Sequence, residues 1–279
     1  MDWPRFAYEY DGSFAGFLTC VFEAYAHKEE PACFLTHGDG RMTLWPERAV
    51  DTDEEKARRV YRSLERSMGA QGKRLVTYGF LTCLEERELI LWDFLRLGYE
   101  RGPTVVRDLT NPRVAALGKA VGHLTNEAHL LKGFTRFSDF GGVLVGEIAP
   151  KNRVLPLLRR HFCSRFYNER LMLYDRTHRE ALFYREGKWC ILPLDHFEMA
   201  RPDRREAEFR RLWKRFYDTV AIRERYNPKC RRTQMPIRYW GTMTEFQGED
   251  YFHSDEDGAL PEGTAPALPR GKTTGKEVR

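Results

Sequence analysis

The sequence lacks closely spaced cysteines. The nearest two of its six, Cys20 and Cys33, are 13 positions apart. Zinc and iron–sulfur sites built from local cysteine pairs are therefore not expected, and the CxxxCxxC spacing of a radical-SAM cluster is missing. His123 and Glu127 could supply two ligands, with a third from His161, His178 or Asp195, but this set matches no recognised metal-binding pattern. We predict no metal and no cofactor.

Long apolar runs are also missing, and the mean hydropathy is −0.61. No stretch approaches the roughly 20 apolar residues that a membrane-spanning helix needs. The N-terminus, MDWPRFAYEYDG, has neither the basic nor the apolar region of a secretory signal. These features predict a cytoplasmic protein with no membrane partner.

The common nucleotide and nucleophile motifs are absent as well. The sequence contains no GxxxxGK[ST] phosphate loop, no GxGxxG dinucleotide fingerprint and no GxSxG nucleophile elbow. ATP-driven and dinucleotide-dependent enzymes are therefore not favoured. Triads assemble in space, so nucleophilic catalysis is neither supported nor excluded.

The residues that are present predict an α+β fold with a helical N-terminal part, a small antiparallel sheet and a long basic C-terminal helix. Ser13, the Thr52–Glu55 capping box and Asn111-Pro112 indicate helix starts. Strands are expected at Val143–Ile148, Leu171–Asp175, Ala181–Arg185 and Lys188–Leu194, the middle two as a hairpin.

One globular domain is expected over residues 1–246, with a possible subdivision into a mainly helical part, 1–137, and a part with the sheet and the basic helix, 138–246. Residues 247–279 are poor in apolar residues and rich in Gly, Pro and charge. This composition predicts a disordered tail.

Positive charge is concentrated in residues 204–240, which hold 12 Lys/Arg against 4 Asp/Glu, although the whole chain has a net charge of only +5. The first part of this stretch has a helical apolar repeat, so its Trp213 and Phe216 are expected in the core. Asn227-Pro228 is expected to end the helix. The predicted DNA contacts lie in the irregular part that follows and on two earlier segments: Lys132, Arg136, Arg160, Arg231, Arg232, Arg238, Tyr239 and Trp240.

These residue types suit nucleic acid because Lys and Arg neutralise phosphates while Tyr and Trp stack on exposed bases. A solvated helix face that only maintains solubility would show the same charge pattern.

A second candidate site lies in the segment Asn126–Phe137, NEAHLLKGFTRF. His and Glu exchange protons near neutral pH, so Glu127 and His129 could perform acid/base chemistry, with Lys132 and Arg136 holding a phosphate. The alternative is a surface pair of His123 and Glu127, which lie four positions apart on the helix, followed by an ordinary helix C-terminus whose dipole favours cations.

Several segments together carry a resemblance to a known family. In order, they are DGSFAGFLTCVFEAYAHKEEP, TDEEKARRVYRSL, NEAHLLKGFTRF, NRVLPLLRRHF, LMLYDRTHREALFY and NPKCRRTQMPIRYWGTMTEF. Over about residues 4 to 246 the chain resembles a bacterial family known as probable DNA metabolism proteins, a domain of unknown function. Its members tend to be encoded beside a radical-SAM protein of DNA modification or repair, and some are fused to a uracil-DNA-glycosylase-like domain.

The resemblance implies DNA-related work without assigning a reaction. Two family motifs match this chain, one of Glu127, His129, Lys132, Gly133, Phe134, Arg136 and Phe137, and one of Asn227, Pro228, Arg232, Pro236, Arg238, Tyr239 and Trp240. The leading hypothesis is a DNA-binding accessory protein in repair or modification that acts with a separate radical-SAM or glycosylase-type partner. The alternatives are an enzyme acting on nucleotides or damaged bases by acid/base chemistry, and an adaptor without DNA contact.

Overall fold

A computed structural model describes residues 3–38, 40–199, 202–222 and 225–246. The described residues divide into two compact units, the first ending at Glu206 and the second beginning at Ala207. The sequence-based subdivision at residue 137 falls inside the first unit. The predicted disordered tail, 247–279, lies outside the described residues.

The first unit begins with a three-stranded parallel sheet. Its strands are β1 (Arg5–Tyr10), β2 (Glu30–Thr36) and β3 (Glu47–Ala49), in the order β2-β1-β3. Helix α1 (Phe14–His27) is the crossover that parallel pairing of β1 and β2 requires. A βαβ unit therefore opens the N-terminal part, whose remaining elements are mainly helical, as the sequence predicts.

Three further helices of the first unit follow the βαβ unit: α2 (Glu54–Gly79), α3 (Arg87–Arg101) and α4 (Pro112–Phe134). Large apolar side chains with less than 2% exposure fill the space between these elements, among them Tyr8, Phe17, Leu64, Trp92, Phe94 and Leu117.

Side chains fix where these helices begin. Ser13 accepts a hydrogen bond from the Gly16 amide, and Asn111 caps α4 ahead of a proline in the first turn. Both caps agree with the sequence prediction. The cap of α2 is Asp53 instead of Thr52, because the Thr52 hydroxyl donates to Asp11 at 2.8 Å.

The second sheet of this unit has five strands in the order β4-β5-β6-β7-β8. It is mixed instead of antiparallel, because helix α5 (Leu155–Arg165) carries the chain from β5 back to a parallel β6. The remaining pairs are antiparallel. The strands are β4 (Phe137–Asp139), β5 (Val143–Ile148), β6 (Arg170–Asp175), β7 (Glu180–Arg185) and β8 (Lys188–Pro193).

Helix α5 covers one face of this sheet. The guanidinium of Arg159 lies 4.1 Å from the centre of the Trp189 ring on β8, and the Phe162 and Phe137 rings pack edge to face at 5.2 Å. On the opposite face, Phe197 packs against Tyr174 at 5.1 Å. The rest of that face, toward the start of β6, carries half-buried and exposed side chains.

The second unit contains most of α6 (Arg204–Val220), the short helix α7 (Pro228–Gln234) and two 3₁₀ turns, Ile237–Thr242 and Thr244–Phe246. Asn227 accepts a hydrogen bond from the Cys230 amide and caps α7. The Asn-Pro pair therefore starts a helix where the sequence predicts irregular chain, because proline is well suited to a first helical turn.

Helix α6 differs from its sequence prediction in burial. Trp213 and Phe216 are 40% and 57% exposed, and Phe209, Leu212 and Val220 each exceed 50%. A helical apolar repeat identifies the face that would be buried but not what would cover it. No described helix is long and apolar enough to cross a membrane.

Candidate functional site

Glu127 is 2% exposed and lies on the buried side of α4. Its carboxylate accepts hydrogen bonds from the Lys151 amide at 3.1 Å, the Asn152 amide at 2.9 Å and the Asn152 side-chain amide at 2.7 Å. Asn152 in turn accepts the Cys83 amide at 3.0 Å. These bonds tie the loop after β5 to α4 and to the segment after α2.

His129, in contrast, is exposed, two residues further along α4. Side chains two positions apart on a helix do not face each other, so Glu127 and His129 do not form a site together. His123 is also exposed. The acid/base pair of the sequence hypothesis is therefore not assembled, because one member is buried in a structural network and the other faces solvent.

Arg136 also has a structural contact. Its guanidinium donates to the Gly133 carbonyl at 2.8 Å and to the Thr135 carbonyl at 3.3 Å, where α4 ends. This is the interaction by which cations stabilise helix C-termini. Lys132, in the last turn of the same helix, is exposed.

Lys132 and Arg165 both lie near His161 of α5. Burial, Lys132 and Arg165 all lower the pKa of His161 below its ordinary value of 6.5. Burial is the largest cause of this lowered pKa, and the contributions of Lys132 and Arg165 show that both cations lie close to His161. We call Lys132, His161 and Arg165, together with Arg160 next to His161 in the sequence of the helix, the α5 basic surface.

This surface is free of acidic side chains on its own helix, because α5 has the sequence LPLLRRHFCSR. Arg160 and Arg165 are exposed. Within the described residues, neither these two nor Lys132 forms an ion pair. Unpaired cations on one surface are typical of a phosphate-binding site.

An Asp–His pair lies at the turn between β6 and β7. Asp175 is fully buried, and its Oδ2 is 2.7 Å from Nδ1 of His178. The Oδ1 atom accepts the Thr177 and His178 amides. Sequence reasoning considered His178 only as a metal ligand and missed this pair, although an Asp three residues before a His in a hairpin turn allows such a contact.

Tyr239 and Trp240 occupy the interior instead of a binding face. They are 3% and 2% exposed. The Trp240 indole N–H donates to the Met235 carbonyl at 3.0 Å, and its ring stacks on Phe246 at 4.8 Å. Neither ring offers a face on which a base could stack, so we leave both out of the candidate interface.

The arginines around these rings have different surroundings. Arg231 is half-buried, with its guanidinium 4.8 Å from the Trp240 ring centre and 5.6 Å from that of Tyr226. Arg238 is exposed and donates to the Tyr239 hydroxyl. Arg232 is exposed on α7. Arg232 and Arg238 can therefore reach a ligand, whereas Arg231 supports the interior of this unit.

Metal binding has no preformed site in the part of the chain that the structure describes. There, no group of three or more His, Cys, Asp or Glu side chains could hold an ion. His161 and His178, two of the possible ligands in the sequence, belong to the separate arrangements described above.

The fold and the site together define a mixed helix-and-strand protein whose clearest candidate site is a cationic helical surface. A family model, DUF4130, described as a domain of unknown function, matches residues 85–245. The chain therefore belongs to this family. The match includes α3 to α7 and the five-stranded sheet, whereas the parallel sheet precedes it. No curated protein matches the chain.

Proposed function

We propose that the protein binds DNA through the α5 basic surface and serves as an accessory factor in DNA repair or modification. The catalytic step would belong to a separate radical-SAM or glycosylase-type partner. The resemblance to probable DNA metabolism proteins supplies the biological setting, and the surface supplies the physical basis for phosphate binding.

The observation that carries the proposal is the lack of carboxylate partners on this surface. Lys132, Arg160 and Arg165 form no ion pair within the described residues. By comparison, Arg96 pairs with Glu30 at 2.7 Å, and Arg113 pairs with Asp93 at 3.3 Å. Cations that the protein does not neutralise are available to displace counterions from a phosphate backbone.

The second unit offers two further candidates for phosphate contact. Arg232 and Arg238 are exposed. Arginine makes planar, two-pronged contacts with phosphate, which suits both positions to a nucleic acid. Their contribution is a separate hypothesis and is tested separately.

The test is DNA binding across a salt series. We expect the double variant R160A/R165A to bind a short duplex more weakly and to reduce the slope of log K against log salt by about 2, since each phosphate contact contributes about 0.9. R58A/R62A, on the exposed side of α2, is the matched control with the same charge change. R232A/R238A tests the second unit.

Two outcomes would overturn the proposal. One is wild-type binding that is absent or independent of salt. The other is an R160A/R165A slope equal to that of the α2 control.

The Asp175–His178 pair favours a second candidate function, an enzyme acting on nucleotides or damaged bases. The buried carboxylate holds Nδ1, so the other ring nitrogen, Nε2, is the one that could take a proton from water or substrate. In this case H178Q would abolish turnover of a damaged-base substrate and leave DNA affinity unchanged. Equal turnover by H178Q and wild type would exclude it.

The exposed apolar side of α6 favours the adaptor alternative. Phe209, Leu212 and Phe216 are each more than half exposed, and exposed apolar surface of this kind marks partner binding. Co-purification with the radical-SAM protein that is lost in L212D, but retained in R211Q, which makes the same charge change at an exposed position on the opposite side of α6, would support it. Equal recovery with both variants would exclude this face.

A further inference from the structure

The open face of the five-stranded sheet carries a row of three cations. Arg170 begins β6 beside Val143 of β5, and Arg185 pairs with Lys188 across the β7–β8 hairpin. Because Leu171 pairs with Tyr184, Arg170 lies next to Arg185 on the neighbouring strand. The three cations therefore stand side by side at one end of three adjacent strands.

Such a row costs stability, because like charges on neighbouring strands repel. Arg185 has a carboxylate neighbour in Glu186 at 3.2 Å, but the two side chains are 62% and 76% exposed. A pair this exposed contributes little. Protection of the sheet edge accounts for Lys188 on β8 but not for Arg170 and Arg185, which lie on internal strands.

Immediately beyond the cations, the same face is apolar. Met172 pairs with Phe183, and Phe183 pairs with Cys190, so the three share the next row of the sheet. Met172 and Phe183 are half-buried and Cys190 is exposed. These residues and the cation row line a groove of about 390 Å³, which is within the size range of small-molecule sites.

We propose that this groove binds single-stranded nucleic acid, with backbone phosphates along Arg170, Arg185 and Lys188 and an unpaired base against Phe183 and Met172. The inference rests on the proposed DNA binding but places a second contact on the sheet face opposite α5. Three adjacent strands span about 10 Å, so the cation row is wider than one phosphate group and suits a continuous backbone better than a lone anion.

The charge and the shape of the groove favour an unpaired strand over a duplex. A duplex keeps its base faces stacked, so it could use the cations but not the aromatic floor. An unpaired strand could use both, because any base has a flat face that stacks on an aromatic ring. The groove therefore predicts a preference for unpaired bases and little dependence on their sequence.

The test compares three fluorescein-labelled probes: an oligothymidylate of about 15 nucleotides, an abasic oligomer of the same length, and a duplex. We expect F183L, which keeps an apolar side chain but removes the ring, to weaken oligothymidylate binding about tenfold. Its affinity for the abasic oligomer should change by less than about twofold. R170A/K188A should weaken both single strands, and R62A/K119A is the control with the same charge change on helices away from the groove.

The outcomes separate the two proposals. Oligothymidylate affinity that is the same in F183L, R170A/K188A and the control overturns the groove while leaving duplex binding through α5 untouched. Duplex affinity unchanged in R160A/R165A overturns the α5 surface but not a groove that still responds to its own variants. A wild-type protein that binds none of the probes overturns both. If F183L fails to fold, R170A/K188A, whose altered side chains are exposed, decides the matter.

Discussion

The side-chain amide of Asn152 donates to the buried carboxylate of Glu127 at 2.7 Å, across 25 positions of sequence. Two backbone amides of the same loop donate to that carboxylate as well. Glu127 thus accepts hydrogen bonds from the backbone and side-chain amides of the buried Asn152. This relationship explains the Glu in the NEAHLLKGFTRF segment as an element of the fold.

Replacing Glu127 should therefore destabilise the protein without altering the proposed DNA-binding surface. We expect E127A to lower the free energy of unfolding by about 3 kcal/mol, because it leaves buried donors unsatisfied. Urea denaturation measures the change. H129A, on the exposed side of the same helix, should stay within about 0.5 kcal/mol of wild type. A stable E127A that no longer turns over a damaged-base substrate, where wild type does, would instead support Glu127 as a catalytic residue.

Sequence reasoning identified the residue types of the site but not their arrangement. It selected Lys132 and Arg160 as DNA contacts, and the structure shows both side chains exposed. It could not show that Glu127 points inward to Asn152, because the contact depends on a distant loop. The cation row on β6, β7 and β8 was missed for the same reason, since strand pairing alone brings Arg170 beside Arg185.

His161 should make DNA binding dependent on pH. Burial, Lys132 and Arg165 lower the pKa of its imidazole, and a phosphate bound on the same surface would raise it again. Binding should then take up a proton, so affinity should rise as the pH falls from about 8 to about 6. H161Q should remove this part of the response, whereas H27Q on α1 should not. Calorimetry in buffers of different ionisation enthalpy measures the proton uptake.

The lowered pKa of His161 also makes the stability of the folded protein depend on pH. The unfolded chain binds a proton at His161 more readily than the folded one, so stability increases with pH across this window. The contribution is fully present above the ordinary pKa of 6.5 and is lost as the pH falls toward the lowered folded pKa. Between about pH 7.5 and about pH 5.5, the free energy of unfolding of H161Q should change less than that of wild type. An unchanged difference would contradict this assignment.

Trp240 should act as an anchor of the second unit. Its ring stacks on Phe246 and its N–H bonds to the Met235 carbonyl. We expect W240A to cost about 3–5 kcal/mol, as large buried aromatic truncations do, and W240F to cost only about 1 kcal/mol through the lost hydrogen bond. Hydrogen exchange of the amides in residues 235–246 reports the loss locally. Normal exchange with reduced DNA affinity in W240A would instead indicate a base contact.

For the fold as well, the sequence predicts local features but not long-range contacts. Local features such as the Ser13 cap and the Asn111-Pro112 start were correct because they depend on neighbours within one helical turn. The parallel sheet of β1, β2 and β3 was not predicted, since its pairing joins segments separated by whole helices. The burial of Tyr239 and the exposure of Phe216 were likewise unreadable, because an aromatic residue is compatible with a core and with a surface.

Two glycines in helices should respond to alanine in opposite directions. Gly69 kinks α2 with φ 73° and ψ 175°, a conformation that is essentially restricted to glycine. We expect G69A to lower stability by about 1–3 kcal/mol. Gly122 lies exposed within α4, with no described atom within 4 Å of the position that an added Cβ would take, so G122A should raise stability by about 0.4–1 kcal/mol. Thermal unfolding of the two variants measures both signs. Equal stability of G69A and G122A would contradict the kink, because it would mean that residue 69 adopts an ordinary helical conformation.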